Sequence, residues 1–382
     1  MVDSKLSLLI RNGRVIDPYR NLDAVRNVGI RFGKIGVAAG DCTAESEIDA
    51  GGCLVVPGLI DYHGHINWGG SFIGIHPDLC TIPNGVTAVV DCGCTGVNNY
   101  RSLLDRLKTA TVKSRIYINV SPLGQSSDQF KELLDPTTWK IEAFQEAFER
   151  DGDSILGLKV RISRDIVKDL GIITLIRGEE IAQNFSKKVM LHPTDPPVPV
   201  PKFISYLQEG DVYCHAYNNY GHTILGSSGK VLKEVWEAKR RGVLFDLAHG
   251  GMNFSWEISE KAFDEGFYPD LIGSDTTTKT WNCRPIYNLS NVMSKAWLLG
   301  MELPQVIKAV TATPARAMHM EGEWGTLAEG STADITILKI KEGKFPLVDA
   351  RGVIKTADKI LIPVCTIVDG RILYRNPEFL GE

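Results

Sequence analysis

The two ends of the chain share a short-period alternation of apolar and polar residues that turn residues interrupt. SLLIRNGRVID predicts a hairpin around the Asn12-Gly13 turn, and NVGIRFGKIGVAA and ESEIDAGGCLVVPG continue the pattern. ADITILKI, VCTIVDG and GRILYRN repeat it near the C-terminus. We therefore predict one small β-sandwich domain that is assembled from residues 1–56 and 323–382.

The middle of the chain, residues 57–322, alternates apolar runs with segments of helical period. The helical segments include TTWKIEAFQEAFER, IITLIRGEEIAQNF and SGKVLKEVWEAKRRG. The apolar runs predict strands at residues 54–63, 86–92, 115–121, 155–161, 188–192, 212–215, 243–249 and 270–275. Eight strands with helices between them predict an α/β fold, a (β/α)8 TIM barrel.

The composition is that of an ordinary globular protein and narrows the range of partners. The chain has 382 residues and is 43% hydrophobic. Its net charge of -4 does not indicate the positively charged surface that binds nucleic acids. No apolar run reaches the roughly 18 residues of a membrane span, and the N-terminal pattern is not that of a signal peptide. We expect a cytoplasmic protein with free cysteines that acts on a small molecule. The sequence leaves open whether the chain forms a homo-oligomer.

Metal-ligating residue types gather at the predicted strand ends. His63 and His65 stand two apart at the end of the first strand, where they share one face. Alone, this pair fits a metal site or a surface pair. The catalytic groups of such barrels lie at the C-terminal strand ends, and five of the eight histidines fall there. The later strands contribute Lys159, His192, His215, His249 and Asp275.

With these residues in their places, the chain resembles the binuclear-metal branch of the amidohydrolase superfamily. That branch has HxH on strand one, lysine on strand four, histidines on strands five and six, and aspartate on strand eight. The resemblance extends to GTLAEGSTADITIL near the C-terminus. It implies two divalent metal ions, with zinc expected. Their ligands would be His63, His65 and Asp275 for one ion and His192 and His215 for the other, with a carboxylated Lys159 bridging both.

The resemblance also implies a reaction. Imidazole and carboxylate groups suit zinc, and a neutral lysine amine can add CO₂ to become a bridging carbamate. A hydroxide shared by the two ions would attack a carbonyl group of the substrate. Asp275 would act as the general base and pass the proton to the leaving group.

Four further residues are candidates for substrate binding, and each has a structural alternative. Arg161 lies two residues after Lys159 and can bind a substrate carboxylate or form a structural ion pair. His249 can contact substrate, orient Asp275, or lie in the core. His222, in the loop after strand six, is a weaker candidate. Arg284, together with Lys279, can meet an anionic substrate or remain a solvated loop charge.

The motifs divide the possible substrates into two classes. Dihydroorotases typically have arginine where this chain has Asn67, and hydantoinases typically have tyrosine in the region that is KVRISRDIV here. GLKVRIS, LHPTDPP, CHAYNN and DLAHGGMNFSW resemble a deacetylase subgroup that is often labelled as dihydroorotases. This implies removal of an acetyl or other acyl group from a small N-acyl or O-acyl carboxylic acid. The alternative is a cyclic amidohydrolase that opens a dihydroorotate or hydantoin ring. A scaffold without activity is disfavoured, because all six ligand positions are filled.

Overall fold

Two sheets organise the chain in the computed structural model, which describes residues 5–38 and 42–379. Parts of the predicted β domain, residues 1–4, 39–41 and 380–382, lie outside the described residues. The strands are β1 (Leu6–Asp17), β2 (Leu22–Arg31), β3 (Lys34–Gly36), β4 (Ala44–Asp49), β5 (Leu54–Pro57), β6 (Leu59–Gly64), β7 (Val86–Gly96), β8 (Lys113–Asn119), β9 (Ile155–Arg161), β10 (Lys188–His192), β11 (Val212–Tyr213), β12 (Leu244–Phe245), β13 (Ile335–Val348), β14 (Ile354–Val368) and β15 (Arg371–Arg375).

The first sheet combines strands from both ends of the chain. Its order is β15-β14-β13-β5-β1-β2-β3, and β4 pairs with β1. β13 runs antiparallel to both β14 and β5, so the C-terminal strands join the N-terminal ones through backbone hydrogen bonds. A sheet formed from both termini therefore matches the sequence pattern, whereas its description as a sandwich stays a prediction.

The second sheet is parallel and curled, with its strands in chain order from β6 to β12. All eleven residues of β7 are buried, as expected for a strand that is covered on both faces. Helices lie between and after the strands: α1 (Pro77–Thr81), α2 (Tyr100–Leu107), α3 (Ile141–Asp151), α4 (Arg164–Val167), α5 (Ile173–Asn184), α6 (Lys233–Arg240), α7 (Trp256–Asp264), α8 (Leu289–Leu298), α9 (Leu303–Ala309) and α10 (Ala312–Ala317).

The helices follow from the apolar period that predicted them. In α3, Phe144, Ala147 and Phe148 are buried at the i, i+3 and i+4 positions of one face. The same face contributes to the large hydrophobic core around the curled sheet. Among the described residues, no helix combines the length and the apolar character that crossing a membrane requires.

The predicted first strand, residues 54–63, is wrong as a single element. It divides at Gly58 into β5, which pairs with β13, and β6, which pairs with β7. A Cβ atom on Gly58 would lie 2.2 Å from Thr87 Oγ1, so the chain passes between the two sheets where only glycine fits.

The last predicted strands are shorter than their apolar patterns, and residues 270–275 form no strand. Residues 271–276 instead make single parallel bridges to both edges of the curled sheet, at Asp246 and at Gly64. The backbone is left-handed at His215, Ala248 and Asp275, with φ of 57°, 36° and 54°. These conformations mark locally strained positions at the edge where the candidate site lies.

Candidate metal centre

A cavity of about 450 Å³ opens where the parallel strands end. β6 carries His63, β9 carries Lys159, and β10 ends at His192. Because the strands are parallel, these ends meet on one side of the sheet. The cavity wall contains all six residues that the sequence suggests as ligands: His63, His65, Lys159, His192, His215 and Asp275.

The side chains of these residues approach one another closely. Asp275 Oδ1 lies 3.0 Å from His65 Nε2 and 3.8 Å from His63 Nε2. Lys159 Nζ lies 3.4 Å from His63 Nε2. The ring of His215 is 4.9 Å from that of His63 and 4.4 Å from that of His192, measured between centroids. Ligand atoms of His63, His65 and Asp275 lie within 4.8 Å of one another, a spacing that suits one metal ion.

The other ring nitrogens of three histidines already have partners. The Nδ1 atom of His63 lies 2.9 Å from Asp246 Oδ2, and that of His65 lies 3.2 Å from Cys94 Sγ. His215 Nδ1 lies 2.7 Å from the carbonyl oxygen of Ala248. Such contacts leave Nε2 to bind a metal, so the residues fit a divalent ion.

Burial sets the protonation of the cluster. It lowers the pKa of His63 and of His192 well below the usual value and lowers the pKa of His215 to about 3. Burial alone would raise the pKa of Asp275, but the neighbouring His63 and His65 bring it below the usual value. Near neutral pH, His63, His192 and His215 are therefore neutral imidazoles and Asp275 is an ionised carboxylate, the forms that bind metals.

Asp246 is a residue of the site that the sequence analysis did not single out. Its Oδ2 faces His63, and its Oδ1 accepts hydrogen bonds from the backbone N–H groups of Ala248 (3.1 Å) and Gly273 (3.0 Å). Burial raises its pKa to about 7. An acidic residue within the apolar run VLFDLAHG was the available signal, because a buried carboxylate needs partners.

The structure separates the four candidates for substrate binding. Arg161 and Arg284 line the cavity, whereas His249 and His222 do not. His249 is fully buried, with its Nε2 atom 2.9 Å from Lys295 Nζ and its ring stacked on Phe254. Substrate contact by His249 and by His222 stays a prediction. The sequence analysis also left Gln125, Met252, Thr277 and Thr280 unassigned, although all four line the cavity.

Comparison with known proteins shows which family the chain resembles. The sequence model described as the amidohydrolase family matches residues 287–374. A protein from Enterococcus faecalis named deacetylase is 29% identical over 370 residues, which cover 96% of this chain and 98% of that protein. The chain therefore resembles proteins of the amidohydrolase superfamily. It is a hydrolytic enzyme that acts on amide bonds, so the predicted resemblance and the predicted enzyme class are confirmed.

Solved amidohydrolase structures superpose on nearly the whole chain. The crystal structure of an adenine deaminase has a TM-score of 0.88 and 29% identity, covering 97% of this chain and 100% of the other. The crystal structure of a dihydroorotase has a TM-score of 0.86 and 24% identity, covering 97% and 98%. The second likeness shows the shared fold alone.

Proposed function

We propose that this amidohydrolase removes an acetyl or other acyl group from a small N-acyl or O-acyl carboxylic acid. One observation carries the proposal: four histidines, a lysine and an aspartate line a single cavity, and the partnered Nδ1 atoms leave Nε2 for metal. The relative named deacetylase supports the choice of reaction. A cavity of about 450 Å³ suits a small molecule.

The ligand set proposed for this cavity would hold two divalent ions, with zinc expected. His63, His65 and Asp275 would hold one ion, and His192 and His215 would hold the other. Lys159, once carboxylated, would bridge them; its Nζ lies 3.4 Å from His63 Nε2, which supports that place. When bound, the ions would acidify water and polarise an acyl carbonyl group.

Asp275 is the proposed general base. Its carboxylate is ionised and contacts His65 at the edge of the cavity. In this position it can accept a proton from the attacking water and return it to the leaving nitrogen or oxygen. The neutral imidazoles cannot act as acids there, because burial keeps their pKa low.

The proposed scaffold is a closed (β/α)8 barrel of residues 57–322 with a β-sandwich domain of residues 1–56 and 323–382. Support comes from residues 271–276, whose bridges to Asp246 and to Gly64 join the two edges of the curled sheet. In this interpretation those residues take the place of the eighth strand. The sandwich interpretation rests on the sheet that both termini build.

Ring opening by a cyclic amidohydrolase is the alternative function, and the position of Asn67 weighs against dihydroorotase. The Asn67 side chain is buried, contacts Arg106 and is not part of the cavity wall. A substrate carboxylate in the cavity would therefore not meet the residue that replaces the expected arginine.

A panel of substrates tests the proposal. N-acetyl amino acids and O-acetyl hydroxy acids are compared with dihydroorotate, hydantoins and adenine, using purified enzyme before and after chelation. We expect metal-dependent release of acetate from at least one acetylated acid. Turnover of rings or adenine alone would contradict the deacetylase assignment.

A further inference from the structure

The positive charges around the cavity are compensated unequally. Arg161, Lys279 and Arg284 line it beside Lys159, the proposed carbamate, and among the described residues Asp275 is the one carboxylate in its wall. Asp275 is engaged with His65 at 3.0 Å. The charge balance at each arginine and lysine therefore depends on what lies behind the wall.

Arg161 is already paired. Its Nη1 forms an ion pair with Glu132, and the second carboxylate oxygen of Glu132 accepts a hydrogen bond of 2.7 Å from Asn119 Nδ2. The side chains of Arg161 and Glu132 are 20% and 8% exposed. The buried Nε atom of Arg161 has no hydrogen-bond partner. Glu132 nevertheless already compensates the charge of Arg161, and breaking a pair that is this buried would leave a poorly solvated charge, so a substrate carboxylate would have to share the guanidinium group with Glu132.

Lys279 and Arg284 have no such compensation. In residues 5–38 and 42–379, no carboxylate forms a salt bridge with either side chain. Lys279 Nζ lies 5.4 Å from the centre of the Phe72 ring, and Arg284 Nε donates to Tyr287 Oη at 3.0 Å. Both side chains thus keep donors available for an anion.

The segment that carries these two cations is anchored beside the cavity. The Thr278 N–H donates to the carbonyl oxygen of Ile73 at 3.1 Å. Farther along, Lys295 Nζ donates to the carbonyl oxygen of Pro285 at 2.5 Å. Because both ends are anchored, the two charges are held at the cavity mouth and can bind an anion with little reorganisation.

We propose that Lys279 and Arg284, rather than Arg161, bind the carboxylate of the substrate, an inference that rests on the proposed acyl hydrolysis. The guanidinium group of Arg284 can hold the carboxylate with two hydrogen bonds, and Lys279 adds a point charge. Arg161 is a positioning residue that, with Glu132, fixes the wall beside Lys159. The site then selects acylated acids over their neutral amides.

The test compares an N-acetyl amino acid with its carboxamide in wild type, Lys279→Met, Arg284→Met, the double variant and Arg161→Met. We expect the double variant to raise KM for the acid about tenfold or more, with kcat and the KM of the carboxamide little changed. Lys308→Met is the matched control, because Lys308 is an exposed lysine on α9 that does not line the cavity. It should leave both KM values unchanged.

Binding measurements keep the test independent of turnover. Calorimetry with an N-methylsulfonyl amino acid, which cannot be deacetylated, and with its carboxamide reports anion recognition directly. We expect the double variant to lose the preference for the acid and Arg161→Met to keep it. A preference lost in Arg161→Met alone, or equal or undetectable binding of both compounds to wild type, overturns the inference. Failure of wild type to hydrolyse any acylated acid overturns the proposed function instead.

Discussion

Asp246 links His63 to the backbone N–H groups of Ala248 and Gly273. One of its oxygens faces His63 Nδ1 at 2.9 Å, and the other accepts hydrogen bonds from Ala248 and Gly273. A carboxylate behind a ligating histidine fixes the ring and raises its basicity. Asp246 is thus a positioning residue for the proposed metal centre.

Asp246→Asn is expected to weaken metal binding by about 10- to 100-fold, because the amide cannot stabilise the His63 ring as a carboxylate does. Competition with a chromophoric chelator measures the affinity. The control is Asp211→Asn, because Asp211 is a buried carboxylate that accepts hydrogen bonds from Val189 and Gln208, away from the cavity. Equal metal affinity in the two variants would show that Asp246 does not contribute to metal binding.

At the scale of single residues, the sequence predicts groups whose place follows from a strand end. His63, Lys159 and His192 could be placed in this way, because the ends of parallel strands meet on one side. Asp246 and Glu132 could not, since their partners His63 and Arg161 lie 183 and 29 positions away along the chain. No local pattern encodes such pairings.

Gly250 lies in a turn next to the site, and the geometry of that turn restricts which residue can occupy position 250. Its φ of +54° favours glycine, and a Cβ atom there would lie 1.9 Å from Asp275 Oδ2. The turn after β12 therefore packs its backbone against the proposed general base. Any side chain at this position would push Asp275 away.

Gly250→Ala is expected to reduce turnover by about 10²-fold, the effect of misplacing a catalytic group by about 1 Å. Steady-state kinetics and the thermal midpoint are measured together. Gly266→Ala is the control, because Gly266 also has positive φ, at +75°, but a Cβ atom there meets nothing within 4 Å. It shares the backbone strain without touching the site. Similar turnover in the two variants would contradict the contact with Asp275.

At the scale of elements, the apolar patterns predict β9 and β10 with their observed bounds. They overestimate the last strands, because apolar residues such as Cys214 and Leu247 continue beyond the last paired residues, Tyr213 and Phe245. They also merge β5 with β6, because burial on both sides of Gly58 leaves no polar interruption. Hydrophobicity reports burial, whereas the ends of strands depend on backbone pairing.

Lys295 links the free energy of unfolding of the whole chain to pH. Burial lowers its pKa to about 7, from the ordinary value of 10.5. Between these pH values the unfolded chain binds more protons than the native one, so this residue makes stability rise with pH. Below about pH 7 the native state must hold a buried, charged ammonium group.

Lys295→Met is therefore expected to flatten the rise in stability between pH 7 and pH 10, where one proton contributes up to about 1.4 kcal/mol per pH unit. Urea unfolding at several pH values gives the comparison. The control is Lys308→Met, at an exposed lysine of α9. Loss of the hydrogen bond to Pro285 would shift the Lys295→Met profile without changing its slope. A profile parallel to that of wild type would show that Lys295 does not titrate in this way.

At the scale of the molecule, similar β patterns at both ends of the chain predict that the termini build one structure. The sheet order could not be predicted, because strand pairing depends on contacts between residues hundreds of positions apart. Lys113 on β8 illustrates this, since its Nζ lies 2.9 Å from both Asp334 and Asp369 and connects the two sheets. Nothing near Lys113 in the sequence indicates those partners.

Metal content and turnover of wild type and Asp275→Asn, measured on the same preparations, test whether Asp275 is the general base of a metal-dependent hydrolase. We expect about two divalent ions per wild-type chain and hydrolysis that chelation abolishes. We expect Asp275→Asn to retain metal while turnover falls by about 10²- to 10⁴-fold, the contribution of a general base. Less than one tightly bound ion in wild type without metal-dependent hydrolysis, or near-native turnover in Asp275→Asn, would contradict this mechanism.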